Sequence, residues 1–96
     1  MQTRRVGQSG LTVSVIGLGC NNLGRAGTAT ESQAGTDAVV RAAIDHGITF
    51  FDVADMYGAT PGLSEERLGK ALGADRDKIV LGTKFGMDMD LSLIHI

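Results

Sequence analysis

Two acids and a phenol stand together between Thr49 and Gly58, a stretch reading Thr-Phe-Phe-Asp-Val-Ala-Asp-Met-Tyr-Gly. Asp52 falls near the end of a short apolar run, Ile48 to Val53, and Tyr57, the only tyrosine of the chain, follows five residues later. A carboxylate closing a buried strand, with a phenol in the loop beyond it, marks a polar site at that strand's C-terminal mouth, because core packing requires neither group. A lysine, Lys84, stands just beyond a second apolar run, Ile79-Val80-Leu81. An ammonium buried there without a counter-ion is costly, and Asp52 is the obvious partner. If the two runs are adjacent parallel strands, the two groups lie about 4.8 Å apart. On the residues alone, a structural Asp-Lys pair beside an ordinary loop tyrosine remains open. Asp55 reads as a loop residue.

The elements that must position these groups follow from hydrophobic pattern and turn chemistry. Val6, Leu11 and Val13 flank Gly7-Gln8-Ser9-Gly10, which predicts a small β-hairpin. Val13 to Leu18 reads as a parallel strand buried on both faces, followed by the turn Gly19-Cys20-Asn21-Asn22-Leu23-Gly24 and a Gly, Thr, Ser and Ala-rich connection to Gly35. A helix is predicted from about Gln33 to His46, with Val39, Val40, Ala43 and Ile44 on its apolar face and Gly47 past its end. Thr30, Thr36 and Asp37 are all candidates for its N-cap. After the Ile48 to Val53 strand, Ser64 is expected to cap a second helix. Glu65 and Glu66 lie in its first turn, Leu68, Ala71 and Leu72 form its buried stripe, and Gly73 stops it. Asp75 to Lys78 then leads into a third strand, Ile79 to Thr83 or Lys84. This alternation predicts an α/β fold with a parallel sheet. From pattern alone, a doubly wound sheet and a barrel fit nearly equally well.

Composition narrows the function classes. The chain has 96 residues, a net charge of −2 and no basic cluster beyond Arg4-Arg5, so it carries no electrostatic footprint for nucleic acid. The single cysteine, Cys20, excludes an internal disulfide and fits a reducing compartment. No apolar run approaches the roughly 20 residues of a membrane span, and no secretory signal follows Met1. These features predict a cytoplasmic protein without nucleic-acid or membrane partners. No Cys/His cluster has zinc spacing, and Asp88 with Asp90 is too short for a calcium loop, so no metal is expected. Gly17-Leu18-Gly19 continues to Asn22, not glycine, so it is not a Rossmann fingerprint.

Taken together, Phe51-Asp52-Val53-Ala54-Asp55-Met56-Tyr57-Gly58, Ser64-Glu65, Leu68-Gly69 and Thr83-Lys84 resemble, in order and spacing, the aldo-keto reductases. The resemblance runs from Val6 to about Gly86 and implies the N-terminal part of a (β/α)8 barrel, incomplete here, since such barrels typically need about 250 residues. It implies a hairpin closing the barrel's bottom, about three strands and two helices. It also implies an NADP(H)-dependent oxidoreductase that reduces small aldehydes and ketones to alcohols. Carried over from the family, Tyr57 is the general acid, Lys84 favours loss of the phenol's proton, and Asp52 holds Lys84 charged and oriented. Gly19, Cys20 and Asn21, together with Asp52, match the positions lying beside the nicotinamide and its ribose. Cys20 departs from the threonine often found there. Glu65 and Gly69 are expected to be structural.

The family's fourth catalytic group is a histidine on the following strand, which this chain does not reach. His95 lies only eleven residues past Lys84, and His46 ends a helix, so neither is assigned that role. Residues 1–86 are thus expected to be the barrel portion, and residues 87–96 an anomalous tail that resembles translated adapter sequence. NADPH is the implied cofactor, and the 96 residues alone are expected to be inactive. Alternatives within the same fold are a channel-associated regulatory subunit or an inactive remnant.

Overall fold

The computed structural model describes residues 1–86, and the expected tail, 87–96, lies outside them. The chain opens with an antiparallel hairpin of β1 (Thr3–Arg5) and β2 (Thr12–Ser14). Gly7 and Gly10 both take positive φ, and the Ser9 hydroxyl donates to the Val6 carbonyl at 2.6 Å inside the turn.

The predicted strand from Val13 to Leu18 divides in two. Val13 belongs to the hairpin, the Val15 amide still donates to the Gln2 carbonyl at 3.0 Å, and only Gly17–Gly19 forms the sheet strand β3. The break lies at Ser14, whose hydroxyl turns back to the Ile16 carbonyl at 2.6 Å and whose amide donates to Thr49 Oγ1 at 2.8 Å. A side chain that bonds the local backbone competes with the strand ladder. Val15 and Ile16 are exposed as a result, contrary to burial on both faces.

Strands β3, β4 (Phe50–Asp52) and β5 (Val80–Gly82) form a parallel sheet in sequence order. Helix α1 (Gln33–Asp45) joins the first pair, and α2 (Leu63–Leu72) with a 3-10 turn (Gly73–Lys78) joins the second. Both helices pack on one face. Val40 and Ala43 of α1 and Leu68 and Leu72 of α2 meet Phe51, Val53, Cys20 and Leu23 in a single core. Val39 points outward, because the buried positions of α1 are Thr36, Val40 and Ala43, a spacing of four and three that leaves residue 39 on the flank.

Helix α1 starts at Gln33 as expected, but the capping residue of each helix differs from expectation. Ser32 caps α1 by accepting from the Gly35 amide at 3.0 Å, whereas Thr30 is engaged with the Asn22 carbonyl at 2.6 Å and the Thr36 hydroxyl with the Thr30 carbonyl at 2.9 Å. For α2 the cap position is Gly62, in left-handed conformation and without a side-chain bond. Ser64 sits one residue inside the helix, fully buried, and donates to the Cys20 carbonyl at 2.6 Å. The C-terminus of α1 ends as anticipated. Gly47, at φ 88°, donates to the Ile44 carbonyl and the Ile48 amide returns to Ala43, the paired bonds that close a helix at a glycine.

Candidate active site

The sheet register decides which side chains share the face away from the helices. Gly17, Phe50 and Val80 are in register, as are Gly19, Asp52 and Gly82 two residues further on, and side chains alternate between faces. Phe51 enters the helix-side core, so Phe50 and Asp52 face the other way. Glycine at position 17 is needed there: a Cβ would lie 2.8 Å from the Phe50 ring and 3.2 Å from the Phe50 carbonyl. At the C-terminal edge, Gly19 and Gly82 flank Asp52 with no side chains of their own.

That gap admits Lys84. The residue opposite Asp52 is Gly82, and Lys84 lies two residues beyond, past the end of β5, so it is not the direct cross-strand neighbour expected from the sequence. Its side chain nonetheless reaches Asp52, with Nζ 2.5 Å from Oδ1, and donates to the Val53 carbonyl at 3.1 Å. The pair is about half exposed, at 48% and 47%, so the burial expected for Lys84 does not occur. The hydrogen bond with Asp52 holds the Lys84 ammonium above the usual lysine range. Partial burial opposes this, and Tyr57 adds to it. The ammonium lies over the Tyr57 ring, 5.1 Å from its centroid, within the range of a cation-π contact.

Tyr57 is fixed through the backbone of its loop. Its amide donates to Ala54 at 3.2 Å and its carbonyl accepts from Ser64 at 3.1 Å. Asp55 braces the same loop: its amide donates to the Lys84 carbonyl at 3.3 Å, and its carbonyl accepts from Gly62 at 2.6 Å. The Ala59 amide donates to Gly24 at 2.9 Å, joining this loop to the one after β3. The expected chemistry-bearing triad is therefore brought together at one edge of the sheet.

The loop after β3 divides the other expected residues. Gly19 borders Asp52 with open space where a side chain would be, and Asn21 lines a cleft of about 350 Å³ with Arg25, Met56, Tyr57 and Gly58. Cys20 points the opposite way. It is 0% exposed within the helix-side core, and burial first, then the charge of Asp52, pushes its thiol up to about 11. Its amide donates to the Asp52 carbonyl at 2.8 Å and its carbonyl accepts from Ser64. The Cys20 side chain is thus turned away from the cleft, and the backbone of Cys20 ties the Asp52 strand to α2.

Arg25 and Met56 were not singled out from the sequence. The available signal was one basic residue, Arg25, six positions before Glu31 in a Gly- and Thr-rich loop after the first sheet strand. Glu65, expected to be structural, accepts from the Thr83 hydroxyl at 3.0 Å and so pins the residue preceding Lys84 to α2. Among the described residues, no three His, Cys, Asp or Glu side chains form a group able to hold a metal ion, and no helix is long and apolar enough to cross a membrane.

A parallel strand-helix wall with helices on one face and polar groups at the strands' C-terminal edge is the arrangement of a (β/α)8 barrel, where active sites occupy that edge. The Aldo/keto reductase family model matches residues 15–93, and the chain belongs to that family. It is 44% identical over 94 residues to an L-glyceraldehyde 3-phosphate reductase of Escherichia coli strain K12, covering 93% of this chain and 26% of the relative. It is also similar to the holo form of an aldo-keto reductase from Bacillus halodurans, with a TM-score of 0.78 and 36% identity over 91% of this chain and 26% of that one. The chain therefore spans about a quarter of the length of these relatives. The likeness resolves the choice between a doubly wound sheet and a barrel in favour of the barrel, of which this is part.

Proposed function

We propose that this sequence supplies the proton-transfer site of an NADP(H)-dependent reductase that converts small aldehydes or ketones to alcohols. The observation carrying this reading is Lys84 Nζ held against Asp52 at 2.5 Å and above the Tyr57 ring at 5.1 Å. The residues fit the nicotinamide end of such a cofactor: Gly19 leaves open space beside Asp52, and Asn21 offers an amide in the adjoining cleft. When bound, the reduced nicotinamide supplies the hydride to the carbonyl carbon. Tyr57 gives its phenolic proton to the carbonyl oxygen as negative charge builds there. The Lys84 cation stabilises the phenolate left behind, and Asp52 keeps that cation charged and aimed.

Cys20 contributes on this reading only by positioning Asp52. The 96 residues alone do not turn over, because three strands cannot enclose substrate and cofactor. NADPH oxidation by the whole protein carrying this sequence, with glyceraldehyde as substrate, tests the proposal. Tyr57→Phe should reduce kcat by at least about 100-fold, the usual scale of general acid catalysis. Undiminished turnover in that variant, or tight NADPH binding without reduction of any aldehyde by the unaltered protein, refutes it.

A further inference from the structure

Arg25 and Tyr57 line the same cleft, with Asn21, Met56 and Gly58 completing its described wall. Among the described residues, the ion pairs are Arg41 with Asp75, Lys70 with Glu66, Lys78 with Asp75 and Lys84 with Asp52, so no carboxylate stands within 4.0 Å of the Arg25 guanidinium. Among the described residues its side chain has one hydrogen-bond partner, the neutral Asn22 Oδ1, which accepts from Nη1 at 3.3 Å. Glu31, the acid nearest in sequence, is directed elsewhere and accepts from the Gly27 amide at 3.2 Å.

The backbone carrying Arg25 is held in place. Its amide donates to the Asn22 carbonyl at 3.1 Å, and its own carbonyl accepts from the Thr28 hydroxyl at 2.8 Å. The Thr30 hydroxyl donates to Asn22 at 2.6 Å, and Gly24 on one side bonds both Thr30 and, across the cleft, Ala59 of the Tyr57 loop. A guanidinium offers five donors in a fixed plane suited to carboxylate or phosphate, and a single neutral contact leaves most of them free.

We infer that Arg25 selects carbonyl substrates bearing an oxyanion, a phosphate or carboxylate, at the end remote from the reacting carbonyl. This rests on the reductase reading for the role of Tyr57, but the anion site itself stands on the cleft alone. The guanidinium holds the anionic end while the carbonyl end lies toward the Tyr57 hydroxyl. Asn22 keeps the guanidinium in the cleft without neutralising it.

Two measurements on the whole protein test this. In the first, kcat/KM is compared for glyceraldehyde 3-phosphate, succinic semialdehyde and uncharged glyceraldehyde. Arg25→Gln should lower the ratio of either anionic substrate to glyceraldehyde by about 10-fold or more, mainly through KM, the scale of losing a charge-assisted hydrogen bond. Arg25→Lys should recover part of that ratio, and preference between the two anionic aldehydes identifies the oxyanion. An unchanged ratio, whether or not both activities fall, overturns the inference. In the second, amide resonances are followed by NMR during titration with glycerol 3-phosphate, which cannot be reduced, and with glycerol. Shifts at Asn21, Arg25 and Tyr57 with the phosphate only, absent in Arg25→Gln, support the site even if no aldehyde is turned over. Absence of those shifts in the unaltered protein overturns it.

Discussion

The Asp52-Lys84 contact turns a loosely constrained lysine into a directed cation. Because the carboxylate raises the ammonium's pKa, the charged pair is fully present below the ordinary lysine value and is lost only as pH rises through the raised one. Asp52→Asn should therefore move the alkaline limb of the kcat profile to lower pH, in addition to lowering kcat, whereas a purely structural pair would leave the limb in place. Gly58 makes a second residue-scale prediction. It takes φ 107°, and a Cβ there would meet Leu63 Cβ at 2.9 Å and the Ser64 amide at 3.0 Å. Gly58→Ala should displace the adjoining Tyr57, lowering kcat by more than tenfold. Its stability loss, read from a denaturant midpoint, should be about 1–3 kcal/mol. The identities of Asp52, Tyr57 and Lys84 were legible in the sequence because buried strands rarely end in charge and because the linked motifs resemble a family. The inward turn of Cys20 was not legible, since a residue leaving a three-residue strand has no periodicity to assign its face.

At the scale of elements, packing chose among options that local preference left open. Serine caps helices and also buries well when its hydroxyl is satisfied. At Ser64 the nearby Cys20 carbonyl, 2.6 Å away, won over the helix terminus. Ser64→Ala should cost about 1–2 kcal/mol in unfolding free energy, because the buried Cys20 carbonyl loses that donor. Gly35 is a sharper case. A Cβ at this position would lie 1.9 Å from the Ala29 carbonyl oxygen, a backbone atom unable to retreat without moving the whole connection before α1. Although alanine is the better helix former, Gly35→Ala should destabilise the protein by at least about 2 kcal/mol in the same assay, reversing the order expected from helix propensity. Helix lengths and their C-terminal glycines were readable from composition. The three N-cap candidates of α1 were indistinguishable because each has a short oxygen-bearing side chain, and only the path of the 20–32 loop occupied two of them elsewhere.

For the whole molecule, the described sheet presents unpaired edges at β3 and β5, and Phe85 beside the latter is 89% exposed. Such edges and apolar surface favour self-association. The 96-residue chain prepared alone should elute as aggregates on size exclusion, and a cooperative, monomeric unfolding transition would contradict that expectation. The core offers a separate probe in the whole protein. The Cys20 thiol has its pKa raised from 9.0 to about 11, so its stabilising contribution is complete below pH 9 and is lost as pH rises toward 11. Labelling by a disulfide reagent at neutral pH should be limited by unfolding, whereas rapid reaction of the native protein would show that the thiol is accessible. By itself, the sequence determined the order of strand and helix, the glycine stops and the chemistry-bearing residue types, because these follow from local pattern and from motifs read in line. Only the tertiary structure decided that Lys84 reaches Asp52 past Gly82, that Cys20 and Ser64 join in the core, and that Arg25 shares a cleft with Tyr57, because those contacts depend on sheet register and on loops crossing one another in space.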